Sequence, residues 1–327
     1  MKDVGLVGLP FSGKSTLFTA LTKAGAAGGR SNQAVVPVPD PRLQVLTELE
    51  RSRKTVPAQV RFVDVPGATS AQGLAELRVT DALAVVLRAF GADADPAKEW
   101  ADVTAELVLA DLAVVDSALE NARRRAKGRS GGGGPEVATL ERAHASLSDE
   151  RLLRDVGFAG DEPDHLRSLA ALTLKPWIPV ANLEEGASIP AGVPDGTVPV
   201  FASIEAETAG MAEHDARELL AEFGVEEPGL DRVVAASYQA LDLITFLTTG
   251  EDETRAWEVR SGATAPEAAG VIHTDLQRGF IRAEVVGYDD LVAAGGWNAA
   301  KTKGLLRVEG KDYVVREGDV LHVRFNV

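Results

Sequence analysis

A segment near the N-terminus has the residue types and spacing of a phosphate-binding loop. It fits the pattern G-x-x-x-x-G-K-[ST] and reads Gly8-Leu9-Pro10-Phe11-Ser12-Gly13-Lys14-Ser15, with Thr16 next. In this pattern the glycines let the backbone wrap a phosphate, while successive N–H groups and a helix N-terminus supply a positive field. Lys14 then spans the β- and γ-phosphates and is the catalytic candidate, and the hydroxyl of Ser15 ligates Mg²⁺. The segment therefore predicts binding of the phosphates of a nucleotide.

A second pattern, D-x-x-G, follows the apolar run at residues 60–65. Asp64 stands at the end of this predicted strand, and Gly67 follows it closely. In G-domain proteins such an aspartate holds Mg²⁺ through water, and the glycine N–H senses the γ-phosphate. An aspartate at a strand end is common, so the phosphate loop upstream is what favours the functional interpretation.

The segment N-L-E-E, from Asn182 to Glu185, resembles the base-reading N-K-x-D element of G proteins, with Leu183 in place of Lys. A guanine reader uses a short aspartate to accept two hydrogens from the base, and the extra methylene of Glu185 spoils that geometry. A preference for guanine is therefore disfavoured, but the segment does not decide between adenine and guanine. The alternative interpretation is an ordinary turn after a strand, with no role in base recognition. Ala202 and Ser203 follow the last predicted strand and take the place of the second base-flanking loop.

Composition limits the classes of function. The chain has 327 residues, 45% of them hydrophobic and 25% charged, which are the proportions of a folded protein. Its 34 Lys and Arg against 49 Asp and Glu give a net charge of −15, so any nucleic-acid contact must be local. The absence of cysteine excludes disulfides and thiolate chemistry. With no signal-peptide pattern and no apolar stretch of about 20 residues, we expect a cytoplasmic protein without membrane contact.

Buried strands that alternate with helices are expected to position these segments. The predicted strands are apolar runs followed by turn-forming residues, at residues 4–7, 60–65, 82–88, 177–181 and 198–201. The phosphate loop lies between the first strand and a predicted helix at 15–23, as the motif requires. The pattern predicts an α/β fold with a mostly parallel sheet.

The chain between the third and fourth strands is predicted to be helical. Residues 103–127 predict one long helix, the glycine-rich residues 128–135 break it, and residues 136–154 resume the helical period. We expect an antiparallel helical hairpin inserted into the sheet domain. A further helix at about 231–247 precedes a small β-rich C-terminal domain, with predicted strands at 281–286, 305–307, 313–315 and 320–325.

Five colinear segments carry a resemblance to a known family. They are GLPFSGKSTLFTALTKAGA, VVPVPDPRL, LTLKPWIPVANLEE, GATAPEAAGVIHTDLQRGFIRAE and EGKDYVVREGDVLHVRFNV. Together they resemble the YchF type of Obg-like P-loop ATPases over nearly the whole chain. The resemblance implies a P-loop G domain at 1–97 and 161–240, a coiled-coil-like helical insertion at 98–160, and a TGS domain of β-grasp fold at 241–327.

The resemblance also implies ligands and partners. The N-x-x-E form at Asn182 and Glu185 implies that ATP is accepted as well as or better than GTP. Members associate with ribosomes, so the helical hairpin and the TGS domain are the expected contact surfaces for ribosomal RNA or a protein partner. A basic cluster at the hairpin tip fits either such a contact or a solvated helix end, and comprises Arg123, Arg124, Arg125, Lys127 and Arg129.

The chain departs from this family at its switch regions. Relatives carry a longer switch I with a threonine that closes on Mg²⁺, whereas only residues 25–33 remain here. Switch II is reduced to ATSAQG after Gly67, and Pro66 stands where relatives usually carry Ala. The loop at 91–100 lacks the histidine that relatives use in catalysis. Gln72 is the nearby side chain able to orient a water.

The sequence thus predicts an Mg²⁺-dependent binder of ATP and ADP, or of GTP and GDP, with weak or partner-dependent hydrolysis. The cradle and the metal ligands alone give binding, whereas hydrolysis needs a positioned water and further charge stabilisation. The alternative is a hydrolysis-deficient nucleotide-binding module that docks on the ribosome or a protein partner. An RNA-binding protein with a vestigial nucleotide site ranks last.

Overall fold

The computed structural model describes residues 1–24, 32–65, 67, 70–127, 134–225 and 227–326. The contacts of the chain group it into two compact units. The first comprises residues 2–36 and 61–237, and the second comprises Met1, 37–60 and 238–327. The division into three domains expected from the sequence stays a prediction.

The described residues form the following helices and strands, numbered in chain order. They are β1 (Lys2–Val7), α1 (Lys14–Ala24), β2 (Gln33–Pro37), α2 (Pro41–Glu50), β3 (Thr55–Val56), β4 (Gln59–Asp64), α3 (Ala71–Arg78), β5 (Ala82–Ala89), α4 (Pro96–Lys127), α5 (Pro135–Ser148), α6 (Glu162–Arg167), β6 (Trp177–Leu183), β7 (Val198–Val200), α7 (Ala202–Thr208), α8 (Glu213–Glu222), α9 (Gly229–Ala240), β8 (Leu243–Thr248), β9 (Thr254–Arg260), α10 (Ala265–Ile272), α11 (Thr274–Arg278), β10 (Phe280–Gly287), α12 (Tyr288–Ala294), α13 (Trp297–Thr302), β11 (Arg307–Glu309) and β12 (Asp319–Phe325). Short 3₁₀ turns lie at Leu153–Asp155 and Leu172–Leu174.

The first unit is built on a six-stranded sheet in the order β2-β4-β1-β5-β6-β7. The pairs β1–β5, β5–β6 and β6–β7 are parallel. β5 reads as a continuous apolar run because both faces of this central strand are covered, and its residues 82–87 are all buried. The predicted α/β fold with a mostly parallel sheet is therefore confirmed, and the phosphate loop leaves β1 at the carboxyl edge of the sheet.

Two helices extend from this sheet as an antiparallel hairpin. α4 and α5 pack through buried side chains such as Leu107 and Val115 on one helix and Leu140 and Leu147 on the other. These residues share one apolar core with the strands β1 and β5. Neither α4 nor any other helix of the described residues is long and apolar enough to cross a membrane.

The second unit is built on a mixed six-stranded sheet in the order β11-β10-β12-β8-β9-β3. β10 pairs antiparallel with β11 and β12, while β12 and β8 run parallel. Phe246, Ala269, Ala283 and Val285 are fully buried at its core. Residues 37–60 belong to this unit: the N–H of Trp297 donates to Glu50 at 2.6 Å, joining α13 to α2.

Three predictions of local structure are wrong. The helix expected at 136–154 ends at Ser148, because the backbone of Asp149 (φ −89°, ψ 15°) leaves the helical conformation. The helix expected at about 231–247 ends at Ala240, because Asp242 takes a left-handed backbone (φ 52°) and the apolar run after it forms β8. The strand expected at 313–315 is only an isolated bridge between Val314 and Thr264. The five strands predicted for the first sheet are present, within one or two residues at most ends.

Candidate functional site

The loop between β1 and α1 has the conformation that its glycines permit. A Cβ on Gly8 would collide with the carbonyl oxygen of Val86 on the neighbouring strand β5. A Cβ on Gly13 would collide with the amide nitrogen of Asn182, and Gly13 has a φ of 88°, in the left-handed region. Side chains at either position would therefore force the loop out of this path.

Backbone N–H groups of this loop are free to bind an anion. Ser12 N–H donates to the Leu9 carbonyl at 3.3 Å, and Leu17 N–H donates to Gly13 at 2.9 Å as α1 begins. Five other N–H groups of this segment make no hydrogen bond among the described residues. They belong to Phe11, Gly13, Lys14, Ser15 and Thr16. A run of unpaired N–H groups at a helix start is a cradle for phosphate oxygens.

Lys14 lies within the loop. Its ammonium donates to the carbonyl of Gly8 at 2.9 Å and to that of Leu9 at 2.7 Å. Burial lowers the pKa of Lys14, and the negative charges of Asp64 and Glu99 act against this shift. The two hydrogen bonds hold the positive charge at the mouth of the cradle, where the β- and γ-phosphates are expected.

Asp64 ends β4 beside this lysine. Burial raises the pKa of its carboxyl, and the charge of Lys14 only partly offsets that effect. Its N–H donates to the carbonyl of Asn32 at 3.0 Å. A half-buried carboxylate without full compensation fits a cation, and a hydroxyl with a carboxylate is the oxygen donor set that Mg²⁺ prefers. Ser15 and Asp64 therefore suit the metal predicted from the sequence.

Asn182 joins three segments of the site. Its side-chain amide donates to the carbonyl of Ser12 at 3.2 Å, and its amide oxygen accepts from the N–H of Ala202 at 3.2 Å. The side chain is buried, with 6% of the residue exposed. Asn182 thus fixes the phosphate loop against the end of β6 and the start of α7.

The other predicted base-side residues are not linked to the loop by hydrogen bonds among the described residues. Leu183 is buried and lines a cavity of about 410 Å³ with Ile189, Pro199 and Phe201. Glu185 and Ser203 are exposed. The structure thus brings Asn182 and Ala202 to the phosphate loop, while Leu183 faces a separate cavity.

The predicted switch residues lie partly outside the described chain. Residues 25–31, Pro66, 68–69 and the hairpin tip at 128–133 are not described. Gly67 is described and has a φ of 61°, with its carbonyl accepting from Ser70 at 2.7 Å. Gln72 is exposed on α3, where its amide donates to Glu76 at 3.4 Å.

The hairpin arginines are paired with acids across the hairpin. Arg123 contacts Glu141 at 2.8 Å, and Arg125 contacts Glu136 at 2.6 Å. Exposed ion pairs of this kind are weak, so they do not prevent these arginines from contacting a phosphate backbone. The solvated helix end and the RNA contact therefore both stay predictions for Arg123 and Arg125.

Three residues at this edge were missed by sequence reasoning. Glu99, in the first turn of α4, accepts from the N–H of Arg88 at 2.9 Å and lies 3.5 Å from its guanidinium. The ring of Phe90 lies 3.7 Å from the position that a Cβ on Gly13 would occupy. The signal for all three was their position at and after the carboxyl end of β5, beside the phosphate-loop strand.

Comparison with known proteins gives two family matches. Residues 243–326 match the family model YchF-GTPase_C, described as "Protein of unknown function (DUF933)". Residues 3–115 match the model MMR_HSR1, described as "50S ribosome-binding GTPase". The second model thus covers the N-terminal part of the chain, and the first covers strands β8 to β12 of the C-terminal sheet.

Curated relatives and a solved structure match over the whole chain. The "Ribosome-binding ATPase YchF" of Haemophilus influenzae is 41% identical over 358 residues, covering 99% of both chains. That of Bacillus subtilis is 39% identical over 361 residues, again covering 99% of both. The structure of the Schizosaccharomyces pombe YchF GTPase aligns with a TM-score of 0.88 at 29% identity, covering 99% of this chain and 97% of that one.

Proposed function

The chain belongs to the YchF family, and from this membership and the geometry of its phosphate loop we propose that it binds purine nucleotide with Mg²⁺ and associates with the ribosome. The observation that carries the nucleotide proposal is the set of unpaired N–H groups of Phe11 and of Gly13 to Thr16 around the ammonium of Lys14. The relatives' names, which combine ribosome binding with ATPase activity, support the same conclusion. Such a protein works where ribosomes are, in the cytoplasm.

The chain's own groups divide the work of binding. Backbone N–H groups of the loop donate to the β-phosphate, and Lys14 neutralises charge between the β- and γ-phosphates. Ser15 and Asp64 are the oxygen donors for Mg²⁺, whose charge when bound offsets that of the phosphates. Asn182 keeps the loop in register with the base side by its bonds to Ser12 and Ala202.

ATP is the nucleotide we propose, with GTP as the competitor. Guanine recognition in G proteins uses an aspartate where this chain has Glu185, and the longer side chain does not reproduce the two-hydrogen contact. Leu183 replaces the lysine of that element, and its buried side chain lines the cavity formed with Ile189, Pro199 and Phe201. Ser203 and Gly67 stay proposed neighbours of the base and of the γ-phosphate.

Hydrolysis is proposed to be slow without a partner. The water-orienting candidate Gln72 is exposed and donates to Glu76, away from any hydrogen bond with the phosphate loop. The sequence offers neither a switch I threonine nor a histidine at 91–100. Phosphate release should therefore rise on adding ribosomes; release that stays at zero with ribosomes present would instead favour the hydrolysis-deficient module.

The C-terminal sheet offers the better-supported surface for ribosomal RNA. Arg282 and Arg324 lie directly opposite each other on β10 and β12, so both side chains stand on one face. Glu284 pairs with Arg324 at 3.0 Å, and no ion pair of Arg282 occurs among the described residues. Glu284 offsets the charge of Arg324, which leaves Arg282 as the charge that RNA phosphate can pair with. We assign this face to the proposed TGS domain.

Thermal unfolding tests the nucleotide proposal. A ligand that binds only the folded state raises the melting temperature in proportion to the logarithm of its concentration over its Kd. Mg-ATP should raise the melting temperature of the wild-type protein and leave that of Lys14→Ala unchanged. Equal shifts for the two proteins would place binding elsewhere.

A further inference from the structure

Phe11 combines two features that are costly for an aromatic residue. Its backbone is left-handed, with a φ of 69°, a region that crowds the Cβ of any L-residue. Its side chain is 88% exposed, which leaves the ring in water. The other non-glycine residues with positive φ in the described chain carry no exposed large apolar side chain, and are Arg51, Glu150, Ala170 and Asp242.

The backbone of Phe11 belongs to the phosphate cradle. Its N–H has no hydrogen-bond acceptor among the described residues, and the next residue, Ser12, is fully buried. A left-handed residue within a turn directs its N–H into the same concavity as its neighbours. The strained backbone is thus explained by phosphate binding, because strain of this kind is found at ligand clamps.

Phosphate binding explains the left-handed backbone of Phe11 but not the exposure of its aromatic ring. Glycine would supply the same N–H without strain. The ring lies outside the hydrophobic clusters of the described residues, so packing among those residues does not explain it. The side chain starts at Cβ, two bonds from the backbone nitrogen of the cradle. A ligand bound in the cradle is therefore placed beside the ring and can cover it.

We propose that the ring of Phe11 packs against the sugar of the bound nucleotide and slows its release. This inference rests on the proposed nucleotide binding. The face of a phenyl ring is electron-rich and is repelled by phosphate oxygens, whereas the C–H groups of the sugar are acceptable neighbours. The sugar follows the phosphates directly, so it is the part of the nucleotide that can cover the ring.

Three variants separate the ring from the backbone. Phe11→Asn removes the ring and keeps a residue that tolerates a left-handed backbone. Phe11→Tyr keeps an aromatic ring. Phe223→Ala is the matched control, because Phe223 is an exposed phenylalanine of the same unit, 42% accessible, after the end of α8. Phe11→Gly serves as a second ring-free variant.

Two ligands separate the sugar from the phosphates. Calorimetry gives the Kd of Mg-ADP and of Mg-pyrophosphate, which has the phosphates and lacks the sugar, and a chase of radiolabelled ADP gives the release rate. Phe11→Asn should weaken ADP binding and speed its release by about tenfold, the effect of losing partial burial of one ring. Its pyrophosphate affinity should stay within about twofold of wild type. Phe11→Tyr and Phe223→Ala should behave as wild type.

Other outcomes overturn the inference. Unchanged ADP binding in both ring-free variants would show that the ring touches no part of the nucleotide. Equal weakening of ADP and pyrophosphate would assign the effect to the cradle. If the wild-type protein binds pyrophosphate and ADP and the ring-free variants bind both with the same affinity, only the inference about Phe11 is refuted. Wild-type protein that binds neither ligand refutes the proposed function as well.

Discussion

Asn182 shows how one side chain can organise a site through hydrogen bonds within the protein. Its two hydrogen bonds reach Ser12, on the phosphate loop, and Ala202, at the start of α7. The sequence predicted Asn182 as a base-side residue from its place after β6. Its partners could not be predicted, because they come from distant segments that meet only when β1 and β6 flank β5.

Replacing Asn182 by Ala should weaken both folding and nucleotide binding. The change leaves the Ser12 carbonyl and the Ala202 N–H buried without partners, which costs about 1–3 kcal/mol for each group left unsatisfied. Denaturant unfolding measures the loss of stability, and calorimetry with Mg-ADP measures the loss of affinity. Asn298→Ala, at an exposed asparagine, is the control. Unchanged ADP affinity in Asn182→Ala would remove the scaffolding role.

The pKa of Lys14 predicts how binding depends on pH. Burial lowers this pKa, so the free protein loses the Lys14 proton at a lower pH than an ordinary lysine does. Phosphates stabilise the charged form, so binding in the alkaline range should take up a proton and weaken as pH rises. Calorimetry in two buffers of different ionisation enthalpy detects that uptake. Proton uptake that persists in Lys14→Ala would assign it to another group.

At the scale of elements, a buried carboxylate fastens the helical hairpin to the sheet domain. Asp111 on α4 is fully buried and contacts the Arg78 guanidinium at 2.7 Å. Its other oxygen accepts from the N–H and the hydroxyl of Thr173, both at 2.7 Å. Helix periodicity predicted the length of α4 but not the buried contacts of Asp111. The residues around Asp111 in the sequence do not distinguish it from a solvent-exposed polar residue of a helix.

Asp111→Ala should be among the most destabilising single changes in the first unit. Removing one partner of a buried ion pair leaves Arg78 uncompensated and costs about 3–5 kcal/mol. Asp116→Ala is the matched control on the same helix, because Asp116 is exposed. Guanidinium unfolding followed by circular dichroism compares the two. A loss in Asp111→Ala no larger than that in Asp116→Ala would contradict the account.

Strands of the first sheet were predictable, whereas the end of one helix was not. Apolar runs bounded by turn residues located β1, β4, β5, β6 and β7 because a central parallel strand must be apolar throughout. The boundary after α9 failed, because the apolar period continues across Asp242 into β8. Only the left-handed backbone at Asp242 separates the two elements, and aspartate is not distinctive enough to mark such a turn.

At the scale of the whole molecule, the chain contributes residues 37–60 to the C-terminal unit before completing the first sheet. The hydroxyl of Ser52 donates to the Gly250 carbonyl at 2.6 Å, and Ser52 and Thr254 hydroxyls lie 2.8 Å apart. Contacts across some two hundred residues of sequence leave no local signal. The resemblance therefore implied that this segment belongs to a G domain at 1–97 and 161–240, while the contacts group it with residues 238–327.

The charge distribution predicts that ribosome association depends on salt. The whole chain carries −15, yet residues 271–327 contain as many basic as acidic residues, so contact with RNA must be local. Arg282→Glu should reduce co-sedimentation with ribosomes and make the remainder less sensitive to salt. Arg167→Glu, at an exposed arginine of the first unit, is the control. Equal losses in both variants would show that general charge, and not this face, is responsible.

Binding of a purine nucleotide by the phosphate loop is the property on which the other proposals depend. Calorimetric titration of nucleotide-free protein with Mg-ATP, Mg-GTP, ADP and GDP, repeated with Lys14→Ala, tests it most directly. We expect saturable binding of ATP and ADP to the wild-type protein, weaker binding of GTP and GDP, and loss of all four in Lys14→Ala. Wild-type protein that binds none of the four, or Lys14→Ala protein that binds them as wild type does, would contradict it.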